Sequence, residues 1–270
     1  MDLERVITRR QIADDLRALG VRPGDLIMSH ESVRSVGWIV GGPREVGGAI
    51  LDAIGPGGTW MKYVSSEDST YAIATFPPEI QRTYRESFPP FDARTMPAHR
   101  KWGILTEYLR TWPGAVRSNH PDASFAAVGP LANALLDNQP LNDAMGEGSP
   151  LERFLEHNGK VLLLGSPLSD VTLLHYTEYK ADLPVKRRVQ YEAPMLDAEG
   201  RTVWVTVDEL DSNGIVDYEG GDYFEALVTE FRDRGLGSTG TVGHASACLF
   251  DGRALNAFGK PWMEAHLTPR

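Results

Sequence analysis

The sequence predicts an α/β fold, a layered mixed sheet flanked by helices with an antiparallel C-terminal part. Strand-length apolar runs alternate with helix-period stretches through residue 183. The run Val161-Leu162-Leu163-Leu164 is apolar on both faces, as a strand covered by two layers must be. Residues 187–194 and 201–207 alternate around Asp197-Ala198-Glu199-Gly200, which is a hairpin pattern. At 270 residues one core can still hold the whole chain. A single domain over 1–270 is therefore expected, with an α/β part over about 1–183 and an antiparallel-rich part over about 184–270.

Each element follows from local chemistry. Thr8 is an N-cap for a helix ending at Leu19, with Ile12, Leu16 and Leu19 on one face and Gly20 as terminator. Leu26-Ile27-Met28-Ser29 reads as a strand that leads into a polar, glycine-containing loop. Val46, Ile50, Leu51 and Ile54 then mark a helix that Gly55-Pro56-Gly57-Gly58 stops. Thr59-Trp60-Met61 is the next strand, and residues 63–100, rich in Pro, Ser, Asp and aromatics, read as a long structured surface excursion. Helices are expected over 103–109, 130–136, 150–155, 172–179 and 223–234, and strands over 126–128 and 242–250. Asp251-Gly252-Arg253 reads as a turn.

Asp and Glu number 37 against 27 Lys and Arg, a formal charge of −10. Such a chain repels nucleic acid and attracts polycations. Cys248 is the single cysteine, so disulfide frameworks and thiolate zinc sites are excluded, and a cytoplasmic location is the expectation. The start is charged and no apolar run reaches membrane-spanning length, so neither a secretory leader nor a membrane partner is expected. The histidines are scattered without His-Glu-x-x-His, and no metal site is expected.

Two constellations carry chemistry. Thr172-x-x-His175-x-x-Glu178 puts a hydroxyl, an imidazole and a carboxylate on neighbouring positions of one helical face, just past the 161–164 strand, where open α/β sheets place ligands. It is either a general base made more basic by its carboxylate or a satisfied histidine on a half-buried helix. Residues 208–225 contain Asp208, Glu209, Asp211, Asp217, Glu219, Asp222 and Glu225 and not one Lys or Arg. That stretch is either a solvated face or the mouth for a substrate with several ammonium groups, to which Glu67, Asp68 and Asp170 would add. The loop Ser29-His30-Glu31-Ser32 with Gly37, Gly41, Gly42 and Pro43 can offer backbone N–H groups to an anion, or is simply a turn. Arg44-x-x-Gly47-x-Ala49 satisfies the short signature of the GCN5-related acetyltransferases, but three loosely fixed positions arise by chance in a chain with 27 glycines, and that fold expects a pyrophosphate loop after a central strand in a much shorter domain, so it is not predicted.

Taken together, five blocks resemble the aminoglycoside 3-N-acetyltransferase family. They are Gly24-Asp25 through Ser35-Val36-Gly37 with Gly41-Gly42; Gly57-Gly58-Thr59; Arg117-Ser118-Asn119-His120-Pro121 with Ser124-Phe125 and Gly129; Gly148-Ser149-Pro150; and Leu163-Leu164-Gly165 through Glu178. The resemblance implies acetyl-CoA as cosubstrate and an aminoglycoside antibiotic as the acetylated partner, expected at its 3-amino group, with resistance as the outcome. It implies His175 as general base, Glu178 as its orienting partner and Thr172 beside the thioester carbonyl. It also implies a coenzyme A site built from Ser29, His30, Ser32, Val33, Arg34, Gly37, Gly41, Gly42, Pro43, His120, Pro121, Ser124 and Phe125. The expected substrate carboxylates are Glu67, Asp68, Asp170, Glu209, Asp211 and Asp217, in a monomer or homodimer. Lys62-Tyr63 and Ser65-Ser66-Glu67-Asp68 depart from the family pattern after Gly58-Thr59. An acetyltransferase of the same fold acting on another amine, and a non-catalytic binder of cationic antibiotics, are the alternatives.

Overall fold

The computed structural model describes residues 6–183, 186–211, 218 and 221–267. Its first part runs β1 (Val6–Ile7), α1 (Arg9–Leu19), β2 (Leu26–Glu31), α2 (Val33–Val36), β3 (Trp38–Ile39), α3 (Arg44–Ile54), β4 (Thr59–Tyr63), α4 (Pro78–Ser87), α5 (Ile104–Arg110), β5 (Val116–Arg117) and β6 (Phe125–Val128). The chain continues through α6 (Ala132–Leu136), α7 (Pro150–Glu156), β7 (Lys160–Leu164), α8 (Leu173–Lys180), β8 (Arg188–Leu196), β9 (Thr202–Leu210), α9 (Tyr223–Asp233), β10 (Ser238–Val242), β11 (Ala245–Asp251) and α10 (Gly252–His266).

Seven strands form the main sheet in the order β10-β11-β7-β2-β4-β6-β5. Its centre is parallel: β2 pairs with β4 on one side and with β7 on the other, and every other pairing is antiparallel. The buried run of β7 is central for the reason the sequence gives, since apolar side chains on both faces need a helical layer on each. One layer packs Ile12 and Leu16 of α1 and Ile50 and Ile54 of α3 against Ile27, Trp60 and Leu162. The other packs Phe154, Leu174, Leu227 and Met263 against Met28, Leu163 and Phe250. Burying each such side chain contributes roughly 1.5–3 kcal/mol. The predicted cap of α1 is present as a capping box between Thr8 and Gln11. The acetyltransferase-like Arg44-x-x-Gly47-x-Ala49 pattern has a packing explanation: a Cβ on Gly47 would lie 2.6 Å from the Trp60 ring.

Three expectations change. The excursion over 63–100 contains the ten-residue helix α4, which has no buried residue and hence no apolar stripe to announce it. The single strand over 242–250 is two antiparallel strands, with β10 ending at Val242 and β11 starting at Ala245. The Asp251-Gly252-Arg253 turn is the start of α10, where Asp251 caps the helix by accepting the Ala254 N–H at 2.9 Å. The C-terminal part is antiparallel in its strands, as expected. However, β8 and β9 form a separate hairpin, while β10 and β11 extend the main sheet beside β7. Among the described residues no helix is long and apolar enough to cross a membrane.

Candidate active site

Because the neighbours of β2 are reached in opposite directions, the carboxyl ends of β2, β4 and β7 mark the place where an open sheet leaves a crevice. The β2–β4 register stops at Met28↔Met61, whereas β2 follows β7 as far as Glu31↔Leu164, so β2 and β4 part at their tips. Lys62 spans the gap, donating to the Ser29 carbonyl at 2.8 Å and to the Glu31 carboxylate. After β7, Gly165 turns the chain at φ +67°, in a place where a Cβ would sit 2.7 Å from Ser35 Cβ. A short turn over Leu168–Asp170 follows, and then α8.

On α8, Leu173, Leu174, Tyr176 and Thr177 are buried, and the helix carries its two titratable site residues into this packed setting. His175 Nδ1 lies 2.8 Å from Glu178 Oε2. Glu178 is fully buried, and its other oxygen accepts the Tyr223 hydroxyl from the first turn of α9. Burial and the Glu178 carboxyl push the Tyr223 pKa up, so its hydroxyl stays protonated and donating. A carboxylate on Nδ1 places the ring proton there and leaves the Nε2 lone pair for other work. The His175 side chain remains 27% exposed, with the Phe224 ring 5.0 Å away, centroid to centroid.

His175 and Thr172 line a cavity of about 710 Å³. Glu67, Asp68, Asp122, Asp170, Glu209 and Asp222 line it too, and Lys101 is the one Lys or Arg among its described lining residues. Burial pushes the Asp170 pKa up; Lys62 opposes that shift and Asp222 adds to it. A cavity of this sign concentrates cations.

The sequence profile of the Aminoglycoside 3-N-acetyltransferase family matches residues 28–264. An aminoglycoside N(3)-acetyltransferase III from Salmonella sp is 44% identical over 263 residues, 96% of this chain and 92% of that protein. This chain belongs to the aminoglycoside 3-N-acetyltransferase family. Among solved structures, aminoglycoside acetyltransferase AAC(3)-Xa superposes with a TM-score of 0.95 at 43% identity, covering 98% of this chain and 96% of its own. AAC-IIIb, solved as a binary complex with CoASH, gives 0.91 at 41% identity, covering 98% of this chain and 99% of its own. As a member of the family the chain is an acyltransferase with acetyl-CoA as cosubstrate.

The residues expected from the sequence fall into three groups. His175, Glu178 and Thr172 come together as the spacing implies, and Glu67, Asp68, Asp170 and Glu209 share their cavity. Asp211 stands behind it, accepting the hydroxyl of the lining residue Tyr71 at 2.6 Å. Asp217 lies outside the described residues.

The coenzyme set divides. Ser32, Val33, Arg34, Gly37, Gly41, Gly42 and Pro43 stay at the surface or half-buried in the loop beyond β2. Five others are engaged within the fold. Ser29 accepts the Trp60 indole N–H at 2.6 Å, and the imidazole Nδ1 of His120 accepts the Ala123 N–H at 2.8 Å. Ser124 donates to the Val64 carbonyl, and Phe125 is a core side chain with no exposure. Pro121 is buried, with its carbonyl taken by Ser66. His30 is half-buried and its Nε2 has no partner; burial, then Lys62, then His175 push its pKa down to about 3, so the ring is neutral. Sequence reasoning missed Tyr223 and Asp122. The signal for Tyr223 would have been a tyrosine opening a helix beside a buried Glu178, and no local spacing shows that.

Proposed function

We propose that the chain transfers the acetyl group of acetyl-CoA directly to a primary amine of an aminoglycoside antibiotic, at its 3-amino group, and so confers resistance. The observation that carries this reading is a cavity-facing imidazole whose inner nitrogen is held by a buried glutamate. An ammonium has no lone pair, so the nitrogen must lose a proton before it attacks, and His175 Nε2 takes that proton. The C–N bond forms as the thioester C–S bond breaks; the proton held by His175 can pass to the departing thiolate, and the second proton that the nitrogen sheds on becoming an amide leaves to solvent. Glu178, oriented by Tyr223, stabilises the imidazolium during that interval. The Thr172 hydroxyl stands at the cavity wall beside His175, where it can donate to the developing oxyanion. The loop over residues 32–43, past the tip of β2, is the proposed seat of coenzyme A. The acidic lining supports a polycationic acceptor rather than a neutral one.

Mass spectrometry of gentamicin incubated with acetyl-CoA and the chain tests this reading. The expected result is one added acetyl group with stoichiometric release of free thiol. Binding without thiol release would leave a sequestering protein instead.

A further inference from the structure

The end of β2 is held by different means on its two sides. Towards β7 the ladder runs out to Glu31↔Leu164, the Ser32 N–H continues it to the Leu164 carbonyl at 2.9 Å, and the Ser166 hydroxyl donates to the His30 carbonyl at 3.0 Å. Towards β4 the ladder stops at Met28↔Met61. The Trp60 indole reaches as far as Ser29. Beyond it Lys62 is, among the described residues, the one side chain of β4 bonded to the end of β2. Lys62 and Glu31 are buried together, with side chains 4% and 1% exposed.

This pair is poorly made for stability. Glu31 gives one oxygen to Lys62, while the other, Oε1, is buried without a hydrogen bond. Taking two charges out of water costs about as much as their attraction returns, and a half-satisfied carboxylate tips that balance against the fold. What the pair does provide is a fixed spacing. An ammonium that reaches both the Ser29 carbonyl and the Glu31 carboxylate sets the distance between β2 and β4 where no ladder bond does so. Ser32, the first residue of the loop over 32–43, follows Glu31 directly. No residue of β2 or of that loop is among the described lining residues of the cavity in front of His175.

We propose that Lys62 and Glu31 form a positioning pair for acetyl-CoA: by fixing the end of β2, they hold the loop over residues 32–43 in the form that receives the coenzyme. This rests on the reading of that loop as the coenzyme seat. Neither residue touches the reacting atoms, so the effect of the pair falls on coenzyme binding and leaves the acceptor amine alone.

The test compares Lys62→Met, Glu31→Gln and the double variant Glu31→Leu/Lys62→Met. A single change leaves one buried group without its partner, whereas the double variant removes both charges, so its thermal unfolding should return to that of the unmodified chain. Calorimetry gives the acetyl-CoA Kd, and steady-state kinetics with gentamicin gives kcat and both KM values. A loop that is competent about a tenth of the time binds about 10-fold more weakly, so the acetyl-CoA Kd and KM should rise about 10-fold in all three variants. At saturating acetyl-CoA, kcat should fall by less than about threefold, because bound coenzyme restores the competent form, and the gentamicin KM should stay within about twofold. An acetyl-CoA Kd that recovers together with stability in the double variant would overturn the inference, since the pair would then serve the fold alone. So would a gentamicin KM that rises as much as the acetyl-CoA KM. Gly42→Val tests the seat separately, because Gly42 has φ +90°, where a side chain strains the loop. If Gly42→Val weakens acetyl-CoA binding and the pair variants do not, the inference alone is overturned. If Gly42→Val leaves the acetyl-CoA Kd unchanged, the reading of the loop as the seat is overturned, and the inference with it.

Discussion

His120 and His175 each bring a ring nitrogen within 3.2 Å of a glutamate oxygen, yet the two surroundings differ in what they leave uncommitted. His120 has no exposure, and its nitrogens meet two backbone N–H groups on one side and the Leu141 carbonyl on the other. It ties the 120–123 turn to the segment around Leu141 and has nothing left to offer a substrate. His175 commits Nδ1 to Glu178 and keeps its other nitrogen at the wall of a cavity. A nearby carboxylate therefore does not by itself suit an imidazole to the proposed role of base; a spare nitrogen at the cavity wall does.

The largest effect expected from this contrast is on turnover. His175→Ala should lower kcat by about 10²- to 10⁴-fold while acetyl-CoA binding, measured by calorimetry, stays close to that of the unmodified chain. Next comes Glu178→Gln, which removes the charge that fixes the tautomer. A fall of roughly 10²- to 10³-fold in kcat is expected, with substrate KM less affected. His120→Ala should behave in the opposite way. Thermal or urea unfolding should show about 2–4 kcal/mol lost, from a vacated core site and unpaired N–H groups, while kcat per folded molecule changes far less. If His120→Ala instead kept its stability and lost turnover, the contrast would be broken.

The smallest effect concerns a third imidazole. His30 has its pKa depressed to about 3 in the fold, against about 6.5 when unfolded. Below the unfolded value the unfolded chain binds a proton that the native chain refuses. The contribution of His30 is thus complete above about pH 6.5 and is lost as pH falls towards 3. Urea titrations across that window should show a shallower acid loss in His30→Gln than in the unmodified chain. Parallel curves would show that His30 does not carry this term.

The parts of the fold readable in the sequence are those where burial repeats with the period of the element. The stripe Ile12, Leu16, Leu19 announces α1, the doubly apolar β7 announces the sheet centre, and the alternating β8–β9 hairpin announces itself by its turn. Elements without a buried stripe were silent: α4 has no buried residue, and of β10 only Val242 is buried. α10 was hidden by its own sequence, since Gly252, Gly259 and Pro261 read as breakers until packing is known. Gly259 lies where a Cβ would come within 3.2 Å of Thr177, at the crossing of α10 and α8.

The site divides the same way. His175 and Glu178 are three residues apart on one helix, a relation that a sequence displays. Tyr223 reaches Glu178 across 45 residues, and Tyr179 of α8 reaches Glu209 of β9, relations that only the fold creates. Polar Ser29, His120 and Ser124 read as loop contacts because their burial depends on distant partners such as Trp60, Leu141 and Val64.

The account depends on proton removal by His175, and chemical rescue measures that step itself. Acetyl transfer to gentamicin by His175→Ala should be slow in buffer. It should rise with the concentration of added imidazole, and more steeply for more basic imidazoles, as small bases enter the space the ring vacated. A variant that turns over as fast as the unmodified chain, or a deficit that no added base relieves, would contradict it.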